Sequence, residues 1–144
     1  MKKFVFSLQV VYDQELRNED QALDELRKLR DILDLAYYKR AQAIAKIQDV
    51  NAKKSMRTDM SIEEYRDYEN FINEMLDVKM RLNEDIARLK RQEEIKLAAI
   101  AEIKKRIKTL DNLRDRQYEE YLEQDRKEQQ KVLDELVSLQ SVKA

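Results

Sequence analysis

The chain has 144 residues and contains no glycine, proline, cysteine, histidine or tryptophan. Each absence removes a class of chemistry. Without cysteine there is no disulfide framework. With histidine missing too, the common zinc sites and the nucleophile–base pairs of covalent catalysis are excluded. Without glycine there is no phosphate-cradling loop. No apolar run approaches the ~18–20 residues of a membrane span. Met1-Lys2-Lys3 followed by Phe4-Val5-Phe6 imitates a signal peptide only in outline. Ser7 and Gln9 interrupt it, Asp13 and Glu15 follow at once, and no small-residue cleavage site appears. The formal net charge is −1, so nothing drives the whole chain toward nucleic acid or an anionic membrane. A soluble cytoplasmic protein with no membrane insertion is expected, with no metal or cofactor site.

Charged residues make up 41% of the chain and hydrophobic residues 42%, the balance of a long helix or coiled coil. The core is then a seam between helices. Carboxylates abound, but acid–base catalysis needs them to converge in a protected pocket, which a helical hairpin does not form. No enzymatic activity is expected.

One stretch punctuates the sequence. Ser61 lies three residues before Glu64, the spacing of a capping box, with Met60 and Tyr65 at staple positions. Asn51 to Asp59 is polar, with no sustained apolar face. The expected fold is all-α: a single antiparallel two-helix coiled-coil hairpin over 1–144, with a longer second helix. Helix 1 runs over about 7–51, the bend over about 52–61 and helix 2 over about 62–138.

On helix 1 the apolar face reads Leu8, Val11/Tyr12, Leu16, Leu23, Leu26, Leu33, Tyr37, Ile44 and Ile47. On helix 2 it reads Tyr65, Tyr68, Ile72, Met75, Lys79, Leu82, Ile86 and Leu89, then Ile100, Ile103, Ile107 and Leu110. Glu93 and Lys96 stand at the seam between; polar seam residues cost stability but fix register. Asp24 with Lys28, Asp77 with Arg81, Glu84 with Arg88, Glu102 with Arg106 and Glu123 with Lys127 are spaced as i,i+4 ion pairs. If Asn51 faces Ile62, facing residue numbers add to about 113 and helix 1 runs out near Leu110. About 30 residues of helix 2 then lack a partner, including Leu113, Tyr118, Tyr121 and Leu122 and the cluster Val132, Leu133, Leu136, Val137 and Leu139. This overhang reads as a partner-binding end, as a frayed tail, or as a site where two hairpins pair.

Lys104, Lys105, Arg106 and Lys108 form a basic run. No aromatics interleave to stack bases, so a solvated face or an acidic protein surface accounts for it better than nucleic acid. Tyr38 and Phe71 lie just off the seam near the bend. There they serve either as contact residues or as parts of a wide seam.

Three stretches together resemble the FliJ-type flagellar export proteins. They are Phe4 to Val11 with Asp13, Glu19 and Asp20; Met60 to Tyr65 running into Tyr68 to Ile72; and Leu113 to Tyr118 with Leu122 to Gln129 and Asp134 to Leu136. The resemblance covers nearly the whole chain. It implies a soluble component of the flagellar type III export apparatus, similar to the central stalk of rotary ATPases. That component would bind the hexameric export ATPase, promote its assembly and activity, and contact export chaperones and the cytoplasmic domain of the export gate. It would sit in the cytoplasm, peripherally at the membrane of the flagellar base.

Carried over by position, the gate contact includes Phe71, Met75 and Val78, with Ala41, Ile44 and Gln48 on helix 1. At Ala41 and Gln48 the family has bulkier residues. The ATPase contact lies within Arg114 to Leu136: Arg114, Arg116, Gln117, Tyr121, Leu122, Val132, Leu133 and Leu136. The alternatives are a structural coiled-coil spacer, a homodimer, or the equivalent stalk protein of a virulence type III secretion system.

Overall fold

The computed structural model describes residues 2–143. It contains two helices, α1 (Gln9–Met56) and α2 (Ile62–Lys143), packed against each other as an all-α helical hairpin. The chain divides into two compact units: Gln21–Ile100, which contains the bend, and the described residues through Asp20 together with those from Ala101 onward.

α1 continues five residues past the expected end. Nothing in Ala52-Lys53-Lys54-Ser55-Met56 breaks a helix, and its last turn is favoured by Lys53 and Lys54 beside the helix C-terminal carbonyls. Lys53 also pairs with Asp49 one turn earlier, at 3.1 Å. α2 starts where the cap predicts: the Glu64 backbone N–H donates to the Ser61 hydroxyl at 3.1 Å. The reciprocal half of the box does not form. The Glu64 carboxylate pairs instead with Arg57 at 2.5 Å, across the bend.

In the unit around the bend, Leu33, Ala36, Ile86 and Leu89 form a buried cluster flanked by Leu29 and Tyr37. The α1 seam is therefore Ala22, Leu26, Leu29, Leu33, Ala36, Arg40, Ala43, Ile47, in strict steps of four and three. The sequence reading favoured large side chains and put Leu23 in place of Ala22, yet Leu23 is 40% exposed. Alanines at 22, 36 and 43 let the helices approach closely, and alternation of small and large residues fills the seam. On α2, Ile72, Ile86, Leu89 and Ile100 are buried at the expected positions.

The register differs from the expected one. Lys54 donates to Glu69, Arg40 to Asn83 and Arg30 to Glu93, and each pair of numbers adds to 123. This is a shift of about ten residues from the expected alignment. The longer α1 moves the pivot toward the C-terminus, and the short bend Arg57–Ser61 carries the chain over. Lys96, at a polar seam position, donates to Glu25 at 2.5 Å. Exposed ion pairs contribute little one by one, but several in a row penalise any slip of register.

Lys96, followed by Gln21, holds the Glu25 carboxyl below its ordinary range. A depressed carboxylate supplies stability that is complete above its ordinary value. That stability is lost as pH falls through the folded value. Melting temperature should therefore hold from neutrality to about pH 5 and fall more acidly. Glu25→Gln should flatten that fall in a pH series of thermal melts.

In the other unit, Phe6, Ile103 and Leu110 are buried. Arg106 donates to Glu15 at 3.1 Å, so it turns across the helices and not to Glu102. Of the expected i,i+4 pairs, Asp24–Lys28 forms at 3.2 Å. Arg88 reaches Asp85, and Glu123 takes Arg126, both one turn at i,i+3. No helix among the described residues is long and apolar enough to cross a membrane.

Candidate partner-binding surfaces

Two surfaces stand out, one in each unit. Near the bend, Val50, Arg57, Glu64, Asp67, Tyr68 and Phe71 line an open recess. Phe71 is half-buried, so part of its ring is accessible. The recess is framed by charge. Arg57 is tied to Glu64 and donates to the Asp59 carbonyl at 3.3 Å. The neighbouring Tyr68 hydroxyl, then Glu64, raise the guanidinium pKa above its ordinary value. On the adjoining turn the Lys54 ammonium sits 4.5 Å from the Tyr65 ring centre and bonds Glu69, which raises the ammonium pKa.

Of the residues inferred from sequence for this surface, Met75, Val78 and Ile44 are half-buried, while Ala41 and Gln48 are exposed. Phe71 and Val78 lie on one flank of the seam. At 100° per residue, Ala41, Ile44 and Gln48 fall on the other flank. Val50 of α1 and Arg57 of the bend complete the Phe71 recess. Neither is among the residues that the resemblance implies. The capping motif, followed to the true end of α1, would have found them.

The second surface is on α2 beyond the seam. Helix 1 is expected to run out near Leu110 and leave the rest of α2 without a partner; the structure differs, because the first part of that overhang is contacted by the N-terminal segment. The segment before α1, including Phe4 and Phe6, lies along α2 there. Phe4 packs edge-on against Tyr118, with ring centres 5.1 Å apart, and tilted against Tyr121 at 5.5 Å. The Tyr121 hydroxyl donates to the Lys2 carbonyl at 2.5 Å. The Ser7 hydroxyl donates to the Gln117 carbonyl oxygen at 3.2 Å, and the Ser7 backbone N–H to the same oxygen at 3.4 Å. Arg114 stacks 5.1 Å from the Tyr12 ring centre and reaches Asp111 at 3.4 Å. A hydrogen bond to Asp111 raises the Tyr12 pKa. Thus Arg114, Gln117 and Tyr121 are engaged within the hairpin, while Arg116 is exposed.

Past Asp125 every described side chain is exposed. Val132 and Leu133 are each 55% exposed and Leu136 52%, with Val137 and Leu139 alongside. An apolar stripe on an unpartnered helix is the usual mark of a protein contact.

The sequence profile described as "Flagellar FliJ protein" matches residues 4–144. The chain belongs to the FliJ family. It is accordingly a component of flagellar type III export, and the family is non-catalytic. The resemblance read from three stretches of sequence holds over essentially the whole chain. No curated protein and no solved structure matches this FliJ-family chain.

Proposed function

We propose that this FliJ-family chain binds the hexameric export ATPase as a stalk-like element through the C-terminal part of α2, promoting its assembly and activity. It also links the ATPase to the cytoplasmic domain of the export gate, through the Phe71 recess, and to export chaperones. It works in the cytoplasm, peripherally at the membrane of the flagellar base. The observation that carries this reading is the bare stripe of Val132, Leu133, Leu136, Val137 and Leu139 on a helix with no partner in the hairpin. Ordering such a stripe alone in water gains nothing; docking it removes apolar area from water at about 25 cal/mol per Å².

Phe71, Met75 and Val78 form the α2 share of the gate contact, with Val50 and Arg57 beside them. Ala41, Ile44 and Gln48 would then serve a contact on the other flank. Phe71→Ala should weaken gate binding about tenfold or more, as loss of an aromatic anchor does, and leave ATPase binding unchanged. Pull-down of each purified partner with wild type and variant tests this; equal loss of both would remove the separation of the two surfaces.

A second reading rests on the same stripe. Leu122, Val132, Leu136 and Leu139 keep coiled-coil spacing, so two chains could pair through their tails as a spacer. That dimer would show a melting temperature that rises with concentration.

A further inference from the structure

Tyr118, Tyr121, Leu122, Val132, Leu136 and Leu139 fall within an arc of about 100° on α2, at 100° per residue. Asp125 and Gln129 interrupt this face. Its two halves differ in one respect: the segment before α1 lies on the tyrosine half, leaving Tyr121 half-buried and Tyr118 46% exposed, and nothing in the described structure lies on the aliphatic half.

The cover is held differently from everything else in the fold. Lys2–Ser7 is not helical, and residues 2–5 take part in no backbone–backbone hydrogen bond beyond the helices. Its anchors are side chains: the Phe4 ring on the two tyrosines, the Tyr121 hydroxyl on the Lys2 carbonyl, and Ser7 with Gln117. Val5, between the two phenylalanines, points outward and is 77% exposed, whereas Phe6 is only 4% exposed. Phe6 is therefore the anchor, packed on Tyr12 and accepting from the Gln9 N–H at 3.1 Å, while residues 2–5, with no backbone ladder, open at lower cost than the helices they rest on. When they open, Tyr118 and Tyr121 join the aliphatic stripe in one face.

We propose that Lys2–Val5, hinged on the buried Phe6, is an internal plug that occupies the tyrosine half of this face and is displaced when a partner's apolar segment docks along its whole length. The inference rests on the reading of the C-terminal part of α2 as a docking surface. The plug's own chemistry describes what replaces it: an extended segment carrying an aromatic ring over Tyr118 and Tyr121 and a carbonyl that accepts from the Tyr121 hydroxyl. Docking affinity is then reduced by the fraction of time the plug is closed.

The test measures binding of purified export ATPase to the full chain, to Phe4→Ala, to Ser7→Ala and to Leu136→Asp, with helical content followed by circular dichroism. Phe4→Ala should bind about five- to tenfold more tightly and Ser7→Ala about twofold more tightly, because each raises the open fraction. Leu136→Asp should abolish binding. Ser7→Ala removes a single hydroxyl, so it keeps the test valid should Phe4→Ala lose helix. Equal or weaker binding by both plug variants, with Leu136→Asp inactive, overturns the plug and leaves the docking surface standing. Normal binding by Leu136→Asp overturns the docking surface, and with it the plug.

Discussion

Leu33→Asp should unfold most of the hairpin at temperatures where the wild type is fully helical. Leu33 is 6% exposed in the cluster with Ala36, Ile86 and Leu89, flanked by Leu29 and Tyr37. A carboxylate at that point buries a charge in an apolar seam, at a cost of about 3–5 kcal/mol. A two-helix seam has little stability in reserve, since each buried Leu or Ile supplies only about 1.5–3 kcal/mol. Ile95→Asp is the matching control. Ile95 lies on the same hairpin but is 70% exposed, and a surface change of this kind moves stability by no more than about 0.5 kcal/mol. Thermal melts followed by circular dichroism compare the two. Similar losses from both would mean that the seam does not run where Leu33 and Ile86 place it.

A chain ending at Asp125 should keep the hairpin and lose ATPase binding. The seam and its flanking contacts reach Tyr121, which is the last α2 residue bonded to the N-terminal segment. Everything the truncation removes is exposed in the described structure. Melting temperature should change by less than about 3 °C, the response to about 1 kcal/mol in a chain of this length. Binding to the ATPase should fall at least about a hundredfold, as it does when a central cluster of contact residues is lost. Truncation at residue 110, the point the sequence first suggested, would instead remove Gln117, Tyr118 and Tyr121 and leave Phe4 and Phe6 without their cover.

That difference shows what was legible and what was not. The α2 seam could be read residue by residue, because Ile72, Ile86, Leu89, Ile100, Ile103 and Leu110 are large, apolar and regularly spaced. The start of α2 could be read from Ser61, whose hydroxyl caps Glu64. The α1 seam was partly hidden because Ala22, Ala36 and Ala43 carry too little apolar area to stand out beside Leu23, Ile32 and Leu35. Those three are exposed. The register could not be read from apolar matching, since a heptad pattern slipped by a few turns still matches apolar to apolar. It is set by pairs such as Arg30 with Glu93 and Lys54 with Glu69, which name their partners only once the bend is placed.

The same slip moved one candidate surface and not the other. Ala41, Ile44 and Gln48 come from the family resemblance, whereas the residues that line the recess with Phe71, Val50 and Arg57 among them, follow from the placement of the bend. With the pivot set too early, the tyrosines at 118 and 121 were counted as overhang. No periodicity announces that six non-helical residues at the N-terminus will fold over them. The cue was compositional: Phe4 and Phe6 form an aromatic pair directly before a helix and need apolar cover.

The central claim is that this FliJ-family chain acts on the export ATPase through its C-terminal stripe. The direct measurement is the rate of ATP hydrolysis by the purified ATPase alone, with the full chain, and with Leu136→Asp. The account predicts that the full chain raises the rate and that Leu136→Asp, still fully helical, does not. An unchanged rate with the full chain, or equal stimulation by Leu136→Asp, would contradict it.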